Sequence, residues 1–157
     1  MIDLAAATRD GTLWISGVLM MRPAFAVLDV WPLIQGPDQR GEDTVVPGRP
    51  GVLSNPRRAT STTVQLRMVI DGEREVDGSV AEDPRAQVWE TVKYLRAFVA
   101  DPTYLTDGTR TARLVLRNGD ELEGPVTVGP LRLGEQGGPI ARAALTVTMP
   151  QGLLVPA

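Results

Sequence analysis

STTVQLRMVID, residues 61–71, is the most regular stretch of the chain. Val64, Leu66, Met68 and Ile70 fall on one side of an extended backbone, and Thr63, Gln65, Arg67 and Val69 on the other. Apolar residues at a period of two mark a strand with one buried face, so the run from Thr60 to Asp71 is predicted to sit in an antiparallel sheet with water on one side.

Moving toward the C-terminus, GEREVDGSVAE (72–82) reads as a solvated loop, since its acids lack the alternating ligands and closing glutamate of an EF-hand. Asp83 is a good N-cap and Pro84 a good first helical residue. Val88, Val92, Leu95 and Val99 then recur at helical spacing, with Trp89 and Phe98 widening the stripe, and Asp101-Pro102 closes the helix, predicted over Pro84 to Ala100. A single amphipathic helix has to lay its apolar side on a sheet. Its other side, with Arg85, Glu90, Lys93 and Arg96, reads as a solvated face or a subunit contact.

The last third is β-rich. Arg110 to Arg117 alternates, and Asn118-Gly119 is the strongest short hairpin signal. The return strand, Asp120 to Val128, is expected to break at Gly124-Pro125, and Gly129-Pro130 to open a separate short run, Leu131 to Leu133. After a turn over Gly134 to Pro139, a final strand from Ile140 to Met149 places Ala141, Ala143, Leu145, Val147 and Met149 on one face. Small Ala141 and Ala143 there point to a close approach by the helix or a facing sheet.

Before the central strand, Thr12 to Met21 reads as a buried strand bulged at Gly17, and Phe25 to Trp31 as a second one. In the latter the face with Ala26, Leu28 and Val30 is expected in the core, because the opposite face carries Asp29. Trp14 and Trp31 are expected in core or edge packing. Between these strands and the central one lies an arm, residues 32–59, with five prolines, four glycines and no sustained period. Loops of this length are uncommon in compact domains and are usually functional or disordered. The apolar Val45, Val46, Val52 and Leu53 and the arginines Arg49, Arg57 and Arg58 lie in this arm, and arginine is enriched at protein interfaces.

Composition narrows function. A chain of 157 residues fits one domain, 1–157, that buries roughly 70% of its unfolded surface. It has no cysteine and no histidine, so disulfides, thiolate nucleophiles, Cys-rich zinc sites and the commonest general base are missing, and Lys93 is its only lysine. Sixteen basic residues against nineteen acids give a net charge of −3, without the electrostatic footprint of a nucleic-acid binder. Neither a secretory leader nor an apolar run of membrane length is recognisable. Val46-Pro47-Gly48-Arg49-Pro50-Gly51 has the glycines of a turn, but no Gly-Lys-Ser/Thr follows and no helix starts there, which excludes a phosphate loop. Carboxylate pairs such as Glu42 with Asp43, Glu82 with Asp83 and Glu121 with Glu123 read as surface solvation. The chain is therefore expected to be no enzyme, with no catalytic, cofactor-binding or metal-ligating residues and no cofactor.

Two strands, a long arm with a Pro-Gly-Arg-x-Gly centre (Pro47, Gly48, Arg49, Pro50, Gly51), the strand Thr62 to Ile70, the helix Pro84 to Ala100 and a run of hairpins resemble the N-terminal, ring-forming domain of phage distal tail proteins. More broadly, they resemble the tail-tube-like fold of siphophage tail-tip components. The resemblance implies a mainly β fold, an antiparallel β-sandwich or barrel with a flanking helix and a long interface loop. It also implies a structural virion protein, made in the host cytoplasm and placed at the tail tip. There it would form a homo-oligomeric ring, expected to be hexameric, joining the tail tube protein to the baseplate hub and tail-associated proteins, next to the tape-measure protein. DNA would pass through the lumen unbound, and no membrane anchor is implied. Val45, Val46, Pro47, Gly48, Arg49, Gly51, Val52, Leu53, Arg57 and Arg58 are the residues expected at the subunit interface. A tail tube or tail terminator protein is the nearest alternative, and a small glycan- or peptide-binding β-sandwich a more distant one. The resemblance implies, for many distal tail proteins, a C-terminal carbohydrate-binding domain, which is not expected here after Met149.

Overall fold

The fold was read from a computed structural model, which describes residues 2–35, 61–102 and 109–157 and, between them, the backbone of four short strands. The N-terminal third contributes α1 (Leu4–Ala7), β1 (Gly11–Ile15), β2 (Val18–Leu19), β3 (Phe25–Val27) and α2 (Trp31–Ile34). Four two-residue strands follow, β4 (Gln39–Arg40), β5 (Thr44–Val45), β6 (Val52–Leu53) and β7 (Arg58–Ala59). The remainder is β8 (Thr62–Asp71), α3 (Pro84–Val99), β9 (Thr109–Leu116), β10 (Glu121–Gly137), β11 (Ile140–Met149) and β12 (Val155–Pro156). The chain is mainly antiparallel β with few helices, as the sequence pattern predicts.

The expected half-buried strand is β8, with Leu66, Met68 and Ile70 buried and Thr63, Gln65 and Arg67 exposed. It pairs along its whole length with β11, from Thr62↔Met149 to Asp71↔Ile140. The hydrogen-bonded order is β2-β1-β9-β10-β11-β8-β3, with β12 beside β10. The two ends of this order also meet. Met20, just past β2, accepts from the Val27 amide at 3.0 Å, the Arg22 amide donates to Phe25 at 2.7 Å, and Met21 bridges Ala26. The sheet thus closes toward a barrel around Leu13, Ile15, Phe25, Leu66, Met68, Ile70, Leu114 and Leu145, all 2% exposed or less.

Three local expectations need correction. Residues 12–21 are not one bulged strand. Ser16 and Gly17 both take positive φ (53° and 76°), which makes them the central pair of a tight hairpin turn between β1 and β2. In the Phe25 run both faces are buried over β3, while Leu28 stands 45% exposed. The Asp29 side chain accepts from the Trp31 amide at 2.9 Å, so the chain turns into α2 and Leu33, rather than Trp31, enters the core. Trp31 is 56% exposed, against the expected packing role. Lastly, β10 runs unbroken through both Gly-Pro pairs. Pro125 lies opposite Thr111 of β9, and on its other side falls in the gap between the β12 pairing, at Glu123, and the β11 pairing, at Thr127. No ladder partner is lost there for want of an N–H. Pro130 sits in a register shift between Val128 and Leu131.

Helix α3 starts where predicted, with Asp83 accepting from the Ala86 amide at 3.3 Å. It buries Val88, Val92 and Leu95 against the core side of β8, β10 and β11, and Tyr94 meets Phe25 with ring centroids 6.0 Å apart. Its far end is held by Arg110 of β9. That guanidinium, almost wholly buried, donates to the carbonyls of Phe98 and Val99 (3.0 Å to the latter) and lies 4.5 Å from the Phe98 ring centroid. A cation at a helix C-terminus satisfies the last carbonyls and suits the helix dipole.

At the near end Gly72 lies so close that a Cβ there would stand 1.9 Å from the Pro84 carbonyl oxygen, whereas one on Gly137 would meet nothing within 4 Å. Overpacking of this kind costs about 3 kcal/mol, and an open surface position less than about 0.5 kcal/mol. Gly72→Ala is expected to lower the stability by that larger amount in urea unfolding and Gly137→Ala to leave it nearly unchanged. Equal effects would mean that the helix does not press on this glycine.

Candidate assembly surfaces

The residues expected at a subunit interface, Val45 to Leu53 together with Arg57 and Arg58, lie outside the described residues except for backbone pairing. That pairing shows antiparallel contact between the two limbs of the arm, Gln39↔Ala59 and Arg40↔Arg58 in one pair and Thr44↔Leu53 and Val45↔Val52 in the other. Residues 41–43 separate the pairs on the way out and 54–57 on the way back, so the registers differ by one. The first turn of the arm as read from sequence belongs instead to the barrel, through α2 and buried Leu33.

Four other features stand on the described surface. The first is the upper half of β10. Among the described residues β10 pairs from Gly129 onward only with β11, since the described part of β9 begins at Thr109, opposite Thr127. There Leu133 is 54% and Trp89 of α3 49% exposed, over a cleft of about 150 Å³ that also touches Val92 and Ala141. Arg96 covers one face of Trp89 at 5.9 Å. Second, Ile2, Ala6, Leu28, Val69 and Ile140 line an apolar cleft of about 390 Å³. Leu133, opposite buried Ala143, lies on the core side of its strand and is nevertheless exposed, whereas Ile140 lies on the outer face of β11 with Arg142, between its partners Asp71 and Gly137.

Third, on the outside of β1 and β9, Arg113 stacks on Trp14 at 5.6 Å and pairs with Glu121 at 2.6 Å. Trp14 is thus the edge packing expected of it. The hydrogen bond and charge of Glu121 raise the Arg113 pKa further above its already high value, so this row carries a fixed cation and no proton donor for neutral pH. Fourth, the loop from Glu73 to Glu82 is firmly built. The Glu75 amide donates to Ser79 at 2.8 Å, Arg74 reaches the Gly78 carbonyl at 3.3 Å, and Arg22 reaches Val76 at 3.4 Å. Val80 nevertheless stands 70% exposed within it. Among the described residues no group of His, Cys, Asp or Glu is placed to hold a metal ion, and no helix is long and apolar enough to cross a membrane.

No family model matches the sequence, and no curated protein matches it either. Among solved structures the chain is similar to the Dit protein (gp 19.1) of SPP1, presented as a paradigm of the hub adsorption apparatus in phages infecting Gram-positive bacteria. The TM-score is 0.58 at 11% identity, over 90% of this chain. The chain spans about half the length of that protein, 50% of which is covered. At this identity the likeness is one of fold.

The acidic loop yields a pH prediction. The Ser79 hydroxyl and amide both donate to Asp77 Oδ1, at 2.7 and 2.9 Å, and these bonds hold the Asp77 pKa below its ordinary value. Because the folded pKa is the lower one, the stabilisation is present above the ordinary aspartate range near 4 and is lost as pH falls through the folded pKa. In an NMR titration Asp77 is expected to show a midpoint below that of an unstructured aspartate, and Ser79→Ala to raise it. An unchanged midpoint in the variant would contradict the assignment to Ser79.

Proposed function

We propose that this chain is a structural protein of a phage tail tip, a ring-forming subunit linking the tail tube to the hub, with DNA passing through its lumen. The observation that carries this reading is the likeness of fold to a hub adsorption protein over nearly the whole chain. The described core runs through residues of 7–33 and 66–154, and in this reading the apolar residues further along the arm are left for a neighbour. In this reading the arm, through Val45, Val46, Val52 and Leu53 with Arg49, Arg57 and Arg58 at their margins, reaches the adjacent subunit. Pro47, Gly48 and Gly51 shape its tip. Ring closure around six copies, contacts with tube, tape-measure and baseplate proteins, and a place in the virion belong to the same proposal, as does a single domain over 1–157. The role is one of assembly rather than of catalysis.

Purified protein examined by mass photometry and negative-stain microscopy is expected to form closed rings at micromolar concentration. Val45→Asp with Val52→Asp should shift the population to monomers while leaving the thermal midpoint of the monomer within about 3 °C, since this reading gives these side chains no part in the core. Long tubes from the unmodified protein would favour a tail tube subunit. A monomer at all concentrations would overturn the ring.

A further inference from the structure

On the outer face of β8, β11 and β10 the exposed charged residues that pair across these strands are all basic, while Asp71, paired with Ile140 at the end of the same face, is buried. In one cross-strand row Arg67 pairs with Ala144, and Ala144 with Arg132; in the next, Val69 pairs with Arg142. All three arginines are exposed, and no ion pair forms on any of them among the described residues. Two strand spacings separate Arg67 from Arg132, roughly 10 Å, with the small Ala144 leaving a shallow dip between two long side chains. A triad of cations on the outside of a chain of net charge −3 calls for an anionic partner.

The same molecule presents one of matching form. Between β8 and α3 the loop carries the acids Glu73, Glu75, Asp77 and Glu82 against one cation, Arg74, which is bridged to the exposed Val80. The hydrogen bonds that brace this loop fix its shape before any encounter, which lowers the cost of binding. An exposed apolar residue on a loop of net negative charge suits a face of exposed arginines. A contact between two different surfaces of the same chain is heterologous, head to tail, the kind that closes into rings. Nucleic acid suits the face less well, since three cations neutralise few phosphates and Val80 would have no role.

We propose that the Arg67, Arg132 and Arg142 face receives the Val80 loop of a second copy of this chain, a contact that rests on the ring reading above and names part of its interface. The test uses full-length Arg67→Glu/Arg142→Glu and Asp77→Asn/Glu82→Arg proteins; the amide oxygen introduced at position 77 keeps the acceptor that Ser79 needs. Each variant alone should raise the concentration for half-assembly by roughly tenfold or more in mass photometry. Mixed in equal amounts they should assemble again, because the intact loop of the first meets the intact face of the second and the reversed pair is also complementary. Rings that form equally well in both variants would overturn this contact while leaving the ring reading in place. So would a face variant that loses affinity for a double-stranded DNA fragment but not for itself, which would assign the face to nucleic acid. An unmodified protein that never assembles would instead overturn the ring reading, and this contact with it. Circular dichroism melts of the dilute variants, expected within about 3 °C of the parent, separate lost contacts from lost folding.

Discussion

One strand, β10, holds the two halves of the sheet together. Its first half pairs with β9 and its second with β11, and only around Thr127 do both neighbours flank it. The two halves are therefore joined along the one continuous backbone of β10, and a second time where Met20 to Arg22 meet Phe25 to Val27. Among the described residues β9 begins at Thr109, so the upper part of β10 has β11 as its one described partner. Because the upper sheet carries on past this point, α3 finds a surface on which to bury Val88, Val92 and Leu95. Arg110, on β9, then reaches the end of that helix and ties it back to the lower half.

The parts of this arrangement that were readable in the sequence are those with a strong local cause. The alternation in β8, the capped amphipathic stripe of α3 and the Asn118-Gly119 turn each come from neighbouring residues and stand where the sequence places them. What escaped was set by distant partners. Gly124-Pro125 and Gly129-Pro130 look like strand breaks, yet a proline breaks a strand only where a ladder bond is due. The gap between β12 and β11 and the register shift after Val128 remove that demand. Ser16-Gly17 looked like a bulge because the residues on either side keep one apolar pattern across a turn. Arg110 sits in an ordinary alternating strand, and nothing local marks it as the residue that caps a helix.

Surface features were harder still to foresee, because exposure of an apolar residue depends on which distant elements cover it. Leu133 and Leu28 follow patterns that ordinarily imply burial, while Ile140 falls on the outer face of β11. The arm was recognised from its length and composition, and its two limbs do pair along the described backbone. The sequence boundary of the arm was less clear. Its first residues fold as α2 and contribute Leu33 to the core, so the part to which the proposal gives a role in assembly starts beyond that helix.

The central claim is a division of labour, in which the barrel and α3 fold within one chain while residues 36–60 find their cover on another. Hydrogen–deuterium exchange at low and high protein concentration tests it most directly. Amides of β8, β10 and β11 should be equally protected at both concentrations, and peptides from 36–60 should gain protection only as the protein assembles. Arm peptides whose exchange is the same in monomer and assembly would contradict the account.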